Sequence, residues 1–346
     1  MKRLTLIGDI NGFTGYGMHA IQIVRDLEAM TGVYISIRAA SRCEAFGATI
    51  PKDIVKRLVT GVQPEPWELL LHPPNFKPTP GKQTAYFTMH ETTKLPAMGP
   101  HLLNAADVVI VPCQFNADTF SACGVTKPIR VVPLGINTEA FNWKPFPVDD
   151  RCVFGAAGRM AHGGVRKGLV DVVYAFKRAF GRKVKDVALK VKCYPDCPVA
   201  KADTKDPRIE IMPAHLPEEA LAQWFESLTC FVSVARGEGW GLMQQQAMAT
   251  GRPLLSPKFG GVREFFDETC GFVLPHKLEP AKAAYEGQGH WAEVSDDDLI
   301  SAMRLVYNRQ SFMPEIGAQA AKRAAMFSWR ASNEQLVSVL QEFGAL

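Results

Sequence analysis

The 346-residue sequence has no apolar run as long as the ~18 residues that a membrane-spanning helix needs. Its N-terminus, MKRLTLIGDI, begins with a basic pair, but the apolar stretch that follows is too short for a signal peptide and is interrupted by Asp9. We therefore expect a cytoplasmic protein in which this stretch forms the first strand.

The sequence also lacks a recognisable metal-binding pattern. Its eight cysteines are scattered, mostly inside apolar segments, and the closest pair, Cys193 and Cys197, has no second pair to complete a zinc site. The run nearest to an Asp-x-Asp motif, at 296–298, is interpreted as the start of a helix. We expect reduced, buried thiols and no bound metal.

Neither sign of charge is in large excess, since the formal net charge is +4. The excess is uneven, however: residues 151–202 contain 12 Lys and Arg against 3 Asp and Glu, whereas residues 1–150 contain 14 against 13. Such a basic stretch is typical of a nucleic-acid-binding surface or of a solvated helix face near an anionic ligand. The composition leaves both interpretations open.

Short apolar runs alternate with helical patterns along the chain. Val- and Ile-rich runs such as RLTLIGD, VYISIRA and CVFGAAG favour parallel strands that are buried on both faces. The segment 141–150 is rich in Pro, aromatic and charged residues, which is typical of a linker, and the pattern begins again after it. We predict an α/β fold with two doubly wound, Rossmann-like domains facing a cleft, at 1–146 and 147–326. The remaining segment, 327–346, is predicted to be a helix that packs back on the first domain.

The first glycine-rich segment, GDINGFTGYGMHA, follows the first strand and precedes a helix. Its glycines at 12, 15 and 17 would let backbone amides at the helix N-terminus contact an anion. The spacing differs from G-x-G-x-x-G, and no acidic residue follows the second strand, so the segment does not match the pattern of a dinucleotide site. A phosphate contact and a simple tight turn both remain possible for this loop.

Two cations surround the second glycine-rich segment, GRMAHGGVRKG. Arg159 ends a strand and Lys167 opens a helix, with Gly163 and Gly164 between them. This arrangement predicts a diphosphate-binding pair, although two surface cations on a loop would give the same pattern. His162 is the histidine of interest in this loop, because it would lie beside the phosphates.

The third segment, RGEGWGLMQQQAMATG, places a single carboxylate, Glu238, among glycines after the strand CFVSVA. If the next helix begins near Leu242, Gln246 lies one turn inside it, on the side of the helix N-terminus. A carboxylate and an amide in these positions can both reach hydroxyls of a bound polyol. We expect Gln244 and Gln245 to be surface or packing residues.

In combination these motifs resemble the GT-B retaining glycosyltransferases of family four, and the similarity extends along nearly the whole chain. TGYG followed by a helix is similar to the family's first glycine loop, and ADVVIVPCQFNADTFSACGVTKPIRVVPLGINTEAF is similar to the end of its first domain. GRMAHGGVRKG resembles its Arg and Lys-Gly pair, and GEGWGLMQQQAMATGRPLLSPKFGGVREFF resembles its Glu-x7-Glu signature with a trailing Gly-Gly-x-x-Glu. Each motif alone is weak, but the set is specific.

The resemblance implies that Glu238 holds sugar hydroxyls and that Arg159 and Lys167 stabilise the charge on a leaving diphosphate. It implies that the donor is contacted by Gly15, Tyr16, Gly17, Gly239, Trp240, Gly241, Leu242 and Gln246. Gln246 is a departure, since the family has a ribose-binding Glu at this position. A glutamine can still bond a ribose diol, so we expect weaker or altered binding.

The segment YFTMHETTKLP contains the remaining candidates. The resemblance makes Glu91 the residue that matches the family pattern and His90 the novel one, and it implies that one of them lies near the anomeric carbon. Because neighbouring residues in an extended chain point to opposite sides, we expect only one to face the cleft, and we favour His90.

The activity implied by the resemblance is transfer of a hexosyl or pentosyl group from a nucleotide sugar, a UDP- or GDP-sugar, to an acceptor hydroxyl with retention of configuration. No cofactor or metal is expected beyond this donor, and a carbohydrate or small-molecule acceptor is favoured. A phage-type DNA glycosyltransferase that modifies hydroxylated bases is an alternative, supported only by the basic stretch. An inactive sugar-nucleotide-binding protein is a second alternative, suggested by Gln246.

Overall fold

The structure, a computed structural model, describes residues 2–10, 14–40, 50–146, 151–159, 165–194 and 206–346. It divides into two compact units, the first comprising Met1–Gly135 with Phe327–Leu346 and the second comprising Ile136–Met326. Within the described ranges, none of the helices has both the length and the hydrophobicity of a membrane span. The cytoplasmic location stays a prediction.

The first unit is built on a parallel sheet whose described strands have the order β2-β1-β3-β4-β5-β6. The strands are β1 (Arg3–Gly8), β2 (Tyr34–Ala39), β3 (Trp67–Leu71), β4 (Gln83–Phe87), β5 (Val108–Val111) and β6 (Ile129–Val131). All four residues of β5 are buried. Burial on both faces explains the continuous Val and Ile runs of the sequence.

Helices connect these parallel strands. They are α1 (Gly15–Thr31), α2 (Lys52–Val55), α3 (Gly99–Leu103) and α4 (Gln114–Ala122). Thr14 caps α1, because its side-chain oxygen accepts a hydrogen bond from the Gly17 backbone N–H at 3.0 Å. Gly32 ends the helix with a φ of 67°, a left-handed conformation that glycine adopts without strain.

The second unit has its own parallel sheet, with the order β12-β11-β10-β7-β8-β9, and a small antiparallel pair, β13-β14. The strands are β7 (Cys152–Gly158), β8 (Val187–Cys193), β9 (Ile209–Pro213), β10 (Cys230–Val232), β11 (Leu254–Pro257), β12 (Gly271–Leu274), β13 (Lys277–Pro280) and β14 (His290–Glu293). This is the strand order of a Rossmann fold. The predicted α/β fold with two doubly wound units is confirmed.

The helices of the second unit cover both faces of its sheet. They are α5 (Leu169–Ala179), α6 (Glu218–Glu226), α7 (Leu242–Ala249), α8 (Asp296–Asn308) and α9 (Met313–Ala324). Short 3-10 turns form at Val165–Lys167, Gly260–Glu264, Ala283–Tyr285 and Gln310–Phe312. The acidic run at 296–298 begins α8, as predicted, and Ser295 caps that helix.

The boundary between the units lies earlier than the predicted one after residue 146. The segment from Ile136 onward belongs to the second unit, because its side chains and backbone carbonyls contact residues of that unit. Phe141 is buried with its ring 6.3 Å from that of Phe225, and Arg252 donates a 3.0 Å hydrogen bond to the carbonyl of Pro145. A segment with the composition of a linker is therefore part of a core.

The last helix, α10 (Trp329–Glu342), is part of the first unit. Trp329 stacks on the ring of His19 in α1 at 5.3 Å, and Phe87 meets the same ring edge-on at 4.7 Å. Burial lowers the pKa of His19 to about 3, so this imidazole is neutral. Asn333 also donates a 2.7 Å hydrogen bond to Asp26 of α1.

Candidate active site

The carboxyl ends of β7 and β10 lie side by side in the second unit, where the two strands pair directly. The chain runs outward from β7 to β9 and returns on the other side of β7 with β10, so the strand order reverses between these two strands. Open parallel sheets bind ligands at such a reversal, outside the carboxyl ends of the strands. The loops that follow β7 and β10 contain Arg159 and Glu238, so both predicted residues lie at this edge.

Glu238 lies in a loop whose backbone is fixed by two glycines. The backbone N–H of Gly261 donates to the carbonyl of Glu238 at 2.8 Å. Gly260 has a φ of 66°, and a Cβ at this position would lie 2.5 Å from the Glu238 carbonyl oxygen. The two segments pack too closely for a side chain at residue 260, which explains the Gly-Gly pair of the sequence motif.

The Glu238 carboxylate is buried between two cations. Lys167 Nζ lies 2.5 Å from Oε1, and Arg166 Nη1 lies 3.2 Å from Oε2 and 2.7 Å from the Gly237 carbonyl oxygen. Burial alone would raise the pKa of Glu238, but the charges of Lys167 and Arg166 outweigh it and lower that pKa below its ordinary value. The carboxylate is therefore ionised and held in a fixed orientation.

Lys167 reaches Glu238 because a 3-10 turn places it against the end of β7. A Cβ at Gly158 would lie 3.2 Å from Lys167 Cγ, so the lysine stem lies directly on the strand end. Gly168 then adopts a φ of 62° and lets the chain turn into α5. The sequence predicted Lys167 as a diphosphate contact, and in this structure its ammonium bonds the carboxylate.

Arg159 lies at the end of β7 beside a second basic residue that the sequence did not single out. The Arg159 guanidinium lies 5.5 Å from the centre of the Tyr194 ring, and Lys192 Nζ lies 5.1 Å from the same ring. Lys192 is buried, and burial lowers its pKa. The carboxyl ends of β7 and β8 thus form a basic edge suited to an anionic ligand. Residues 160–164, which include His162, lie outside the described residues.

Helix α7 begins at the predicted position, with Gly241 as its N-cap at a φ of 110°. All three glutamines are buried, so a surface position for Gln244 or Gln245 is wrong and their packing role holds. Gln245 accepts a 2.6 Å hydrogen bond from the indole N–H of Trp240, which orients that ring. The side-chain oxygen of Gln246 has no hydrogen-bond partner among the described residues, as expected of a group that receives a ligand.

The candidates of the first unit lie together after β4 and at the start of α1. His90 is 4% exposed, and its Nε2 lies 2.8 Å from the Thr92 hydroxyl. The Glu91 side chain is more accessible, at 23%, and its Oε2 lies 3.8 Å from His90 Nδ1. Burial, and then the Glu91 charge, raise the pKa of Tyr16 above its ordinary value. Gly15 and Gly17 belong to the first turn of the same helix.

Two contacts of Glu238 were missed by the sequence argument, those from Arg166 and Gln244. Arg166 is adjacent to a predicted residue, and its place in a loop beside Lys167 was the available signal. Gln244 Nε2 lies 3.4 Å from Glu238 Oε1 and 2.9 Å from the Ser233 hydroxyl oxygen. Three consecutive amides in one buried helix were the signal there. Among the described residues, no group of His, Cys, Asp or Glu could hold a metal ion.

Residues 151–286, which contain Arg159, Lys167 and Glu238, match the sequence profile of the family Glycosyl transferases group 1. A D-inositol 3-phosphate glycosyltransferase of Nocardioides sp. is 25% identical over 122 residues, and one of Arthrobacter sp. is 29% identical over 119. These stretches are 35% and 34% of this chain. They span about a quarter of the curated relatives, 23% and 24% of their lengths.

Solved structures match over the whole chain. Sucrose-phosphate synthase from Thermosynechococcus elongatus has a TM-score of 0.71 at 15% identity, with all of both chains covered. HepE of Anabaena, solved with UDP and glucose, has a TM-score of 0.69 at 13% identity, covering 99% of this chain and 100% of the other. At these identities the likeness concerns the fold, and it confirms the GT-B fold that the resemblance implied.

Proposed function

We propose that the chain transfers a sugar from a nucleotide-sugar donor to an acceptor hydroxyl with retention of anomeric configuration, because residues 151–286 match the family Glycosyl transferases group 1 and the chain has the GT-B fold. The observation that supports this best is the buried Glu238 carboxylate held by Lys167 and Arg166 at the strand-order reversal. A polar, pre-oriented acceptor of this kind suits sugar hydroxyls.

The second unit supplies the donor site in this proposal. Glu238 accepts hydrogen bonds from the sugar, while Arg159 and Lys167 stabilise the negative charge that develops on the leaving diphosphate. The N-terminus of α7, with the backbone amides of Gly241 and Leu242, favours the phosphates. Gln246 bonds the ribose through the side-chain oxygen that has no described partner. Gly239 and Trp240 shape the loop around the sugar.

The reaction breaks the bond between the anomeric carbon and the diphosphate oxygen and forms a bond from the acceptor oxygen on the same face. The acceptor proton goes to the leaving phosphate oxygen, so no separate protein base is needed for that transfer. In this proposal one of His90 and Glu91 lies near the anomeric carbon, and Gly15, Tyr16 and Gly17 contact the donor. The protein needs no metal or organic cofactor, and it acts in the cytoplasm.

The donor to try first is a UDP-sugar, because the fold is similar to that of HepE, which has been solved with UDP-glucose. GDP-sugars come next. Inositol phosphates are the first acceptors to try, since the matched relatives are inositol 3-phosphate glycosyltransferases. Carbohydrates and small polyols are the next acceptors to try. The donor panel includes nucleotide sugars of both hexoses and pentoses.

The test is release of free nucleotide from a panel of UDP- and GDP-sugars, with each acceptor class and without acceptor. Turnover with a small acceptor and an unchanged anomeric configuration in the product would support the proposal. Transfer only to DNA with hydroxylated bases would favour the phage-type enzyme. Tight donor binding without nucleotide release under any condition would indicate an inactive binding protein, and an inverted product would contradict retention.

A further inference from the structure

The amide of Gln244 links three parts of the site. Its Nε2 lies 2.9 Å from the Ser233 hydroxyl oxygen, directly after β10, and 3.4 Å from Glu238 Oε1, in the loop that follows. Gln244 itself is in the first turn of α7 and is 2% exposed. The side chain therefore bridges the beginning, the middle and the end of the connection from β10 to α7.

We propose that Gln244 is a positioning residue that fixes the Glu238 carboxylate for its contact with the sugar. The inference rests on the proposed function, because it assigns Gln244 a role in the donor site described above. Gln244 acts only through Glu238 and is not itself placed on the substrate.

The hydrogen-bond chemistry determines which end of the amide faces the carboxylate. An ionised carboxylate only accepts hydrogen bonds, so the NH2 group, and not the carbonyl oxygen, must face Glu238. The same NH2 group has a second hydrogen, which is directed to the Ser233 oxygen. Both hydrogens are thus used, and a flipped amide would turn its carbonyl oxygen toward the carboxylate and lose that bond.

The contact completes the set of groups that orient the carboxylate. Lys167 and Gln244 approach Oε1, and Arg166 approaches Oε2. Lys167 and Arg166 already hold both carboxylate oxygens, and Gln244 adds a third donor, from a helix turn, on Oε1. A donor on a helix turn is more rigid and limits rotation of the carboxylate plane. The Gln244 hydrogen bond also contributes to the lowered pKa of Glu238.

A purely structural role explains the residue less well. An apolar side chain would fill a buried position in a helix at no cost, whereas a buried amide costs free energy unless its hydrogen bonds are made. The neighbouring Gln245 instead accepts a hydrogen bond from the Trp240 indole. Gln244 is therefore the member of the Gln-Gln-Gln run that bears on the carboxylate.

The experiment compares Gln244→Met, which keeps length and removes the donor, with Gln244→Glu, which places a second carboxylate beside Glu238. Gln223→Met, at an exposed position of α6 in the same unit, is the matched control. For each protein we would measure turnover of UDP-glucose from about pH 3 to pH 8, a window that includes the ordinary carboxyl range near 4.3, affinity for UDP and for UDP-glucose by calorimetry, and the thermal unfolding midpoint.

For Gln244→Met we expect about tenfold lower turnover, the value of one hydrogen bond to a charged group, with UDP affinity unchanged within about twofold. Removal of the donor raises the pKa of Glu238, so activity is lost at a higher pH on acidification than in the wild type. In Gln244→Glu this loss of activity should occur at a still higher pH, because two carboxyl groups at this distance cannot both ionise readily. The control should match the wild type.

An equal loss of affinity for UDP and UDP-glucose, or a lower unfolding midpoint with an unchanged pH profile, would overturn the positioning role. The wild-type protein tests the proposed function separately. If it binds UDP-glucose without turnover, the preference for UDP-glucose over UDP still reports on Glu238. That preference should then fall in Gln244→Met, and an unchanged preference would count against the inference.

Discussion

Replacing Glu238 with glutamine removes the central charge of the site and keeps its shape. The carboxylate accepts a 2.5 Å bond from Lys167 and a 3.2 Å bond from Arg166, and only 11% of its side chain is exposed. A hydrogen bond to a charged group contributes about 1.5–3 kcal/mol, and removing one partner of a buried ion pair costs about 3–5 kcal/mol. We therefore expect Glu238→Gln to lower the free energy of unfolding by about 2–4 kcal/mol.

The effect on ligands should be selective. If Glu238 contacts the sugar, loss of one charged acceptor should reduce turnover of the nucleotide sugar by about 10- to 100-fold. Affinity for plain UDP should stay within about threefold, because in the proposed donor site the phosphates contact Arg159, the α7 N-terminus and a Lys167 that no longer bonds a carboxylate. Nucleotide release by a coupled assay and UDP binding by calorimetry separate the two effects.

Asp206→Asn is the matched control. Asp206 and Arg208 form a buried ion pair at 2.7 Å in the same unit. The pair directly precedes β9, so it lies at the amino ends of the parallel strands, whereas the site lies at their carboxyl ends. It should destabilise the protein to a similar extent without distinguishing UDP from UDP-sugar. If Glu238→Gln weakened both ligands equally, as a general structural defect would, the assignment of Glu238 to the sugar would be refuted.

The pH dependence of stability provides a second check on Glu238. Its pKa is lowered in the folded protein, so the unfolded chain binds the proton more readily. The stabilisation from this group is fully present above the unfolded pKa of about 4.3 and is lost as the pH falls through the lower folded pKa. The difference in unfolding free energy between wild type and Glu238→Gln should therefore shrink below about pH 4.3. A difference that does not vary with pH would contradict the ion-pair explanation.

Three further substitutions test other parts of the site. Arg159→Ala should weaken UDP binding at least tenfold by calorimetry, whereas Arg182→Ala, an equal loss of charge at an exposed position, should leave it unchanged. Unchanged UDP affinity in both variants would exclude the contact between Arg159 and the diphosphate. Gln246→Glu should bind the donor up to about tenfold more tightly, since a charged acceptor is about twice as strong as a neutral one, and no gain would exclude a ribose contact. Gly260→Ala should destabilise the protein by at least 2 kcal/mol in urea unfolding, because its Cβ would lie 2.5 Å from a carbonyl oxygen. Gly287→Ala is the control for backbone strain alone, because Gly287 has a similar φ but no atom within 4 Å of an added Cβ. An equal loss of stability in both variants would contradict the steric clash at residue 260.

The sequence predicted most of the sheet strands, because strands buried on both faces need unbroken apolar runs and these are visible without coordinates. Strands β3, β11 and β12 of the two large sheets were missed; β3, Trp67–Leu71, is short and contains an acidic residue. Glu68 is buried there because Thr79 N–H and the Thr84 hydroxyl donate to it at 2.8 and 3.1 Å. Those partners lie beyond a turn, so no local pattern could reveal that a carboxylate is accommodated in a strand.

The domain boundary shows the same limit. Composition marked 141–150 as a linker, but the aromatic and proline residues of this segment that the structure describes have partners in the second unit, as Phe141 does with Phe225. Composition reports the average exposure of residue types, and it does not contain the identity of a partner far along the chain. The contacts of residues 136–146 therefore had to come from the tertiary structure.

By itself the sequence determined the fold class, the start of α7, and the presence of a carboxylate and two cations after strands and of an amide within α7. These depend on periodicity, on glycine's freedom at positive φ and on the meeting of parallel strand ends at one edge. Only the tertiary structure decided that Lys167 bonds Glu238, 71 residues away, and that Arg166 and Gln244 join them. A hydrogen bond requires placement within a few tenths of an ångström, and that placement comes from the packing of β7, β10 and α7 against one another.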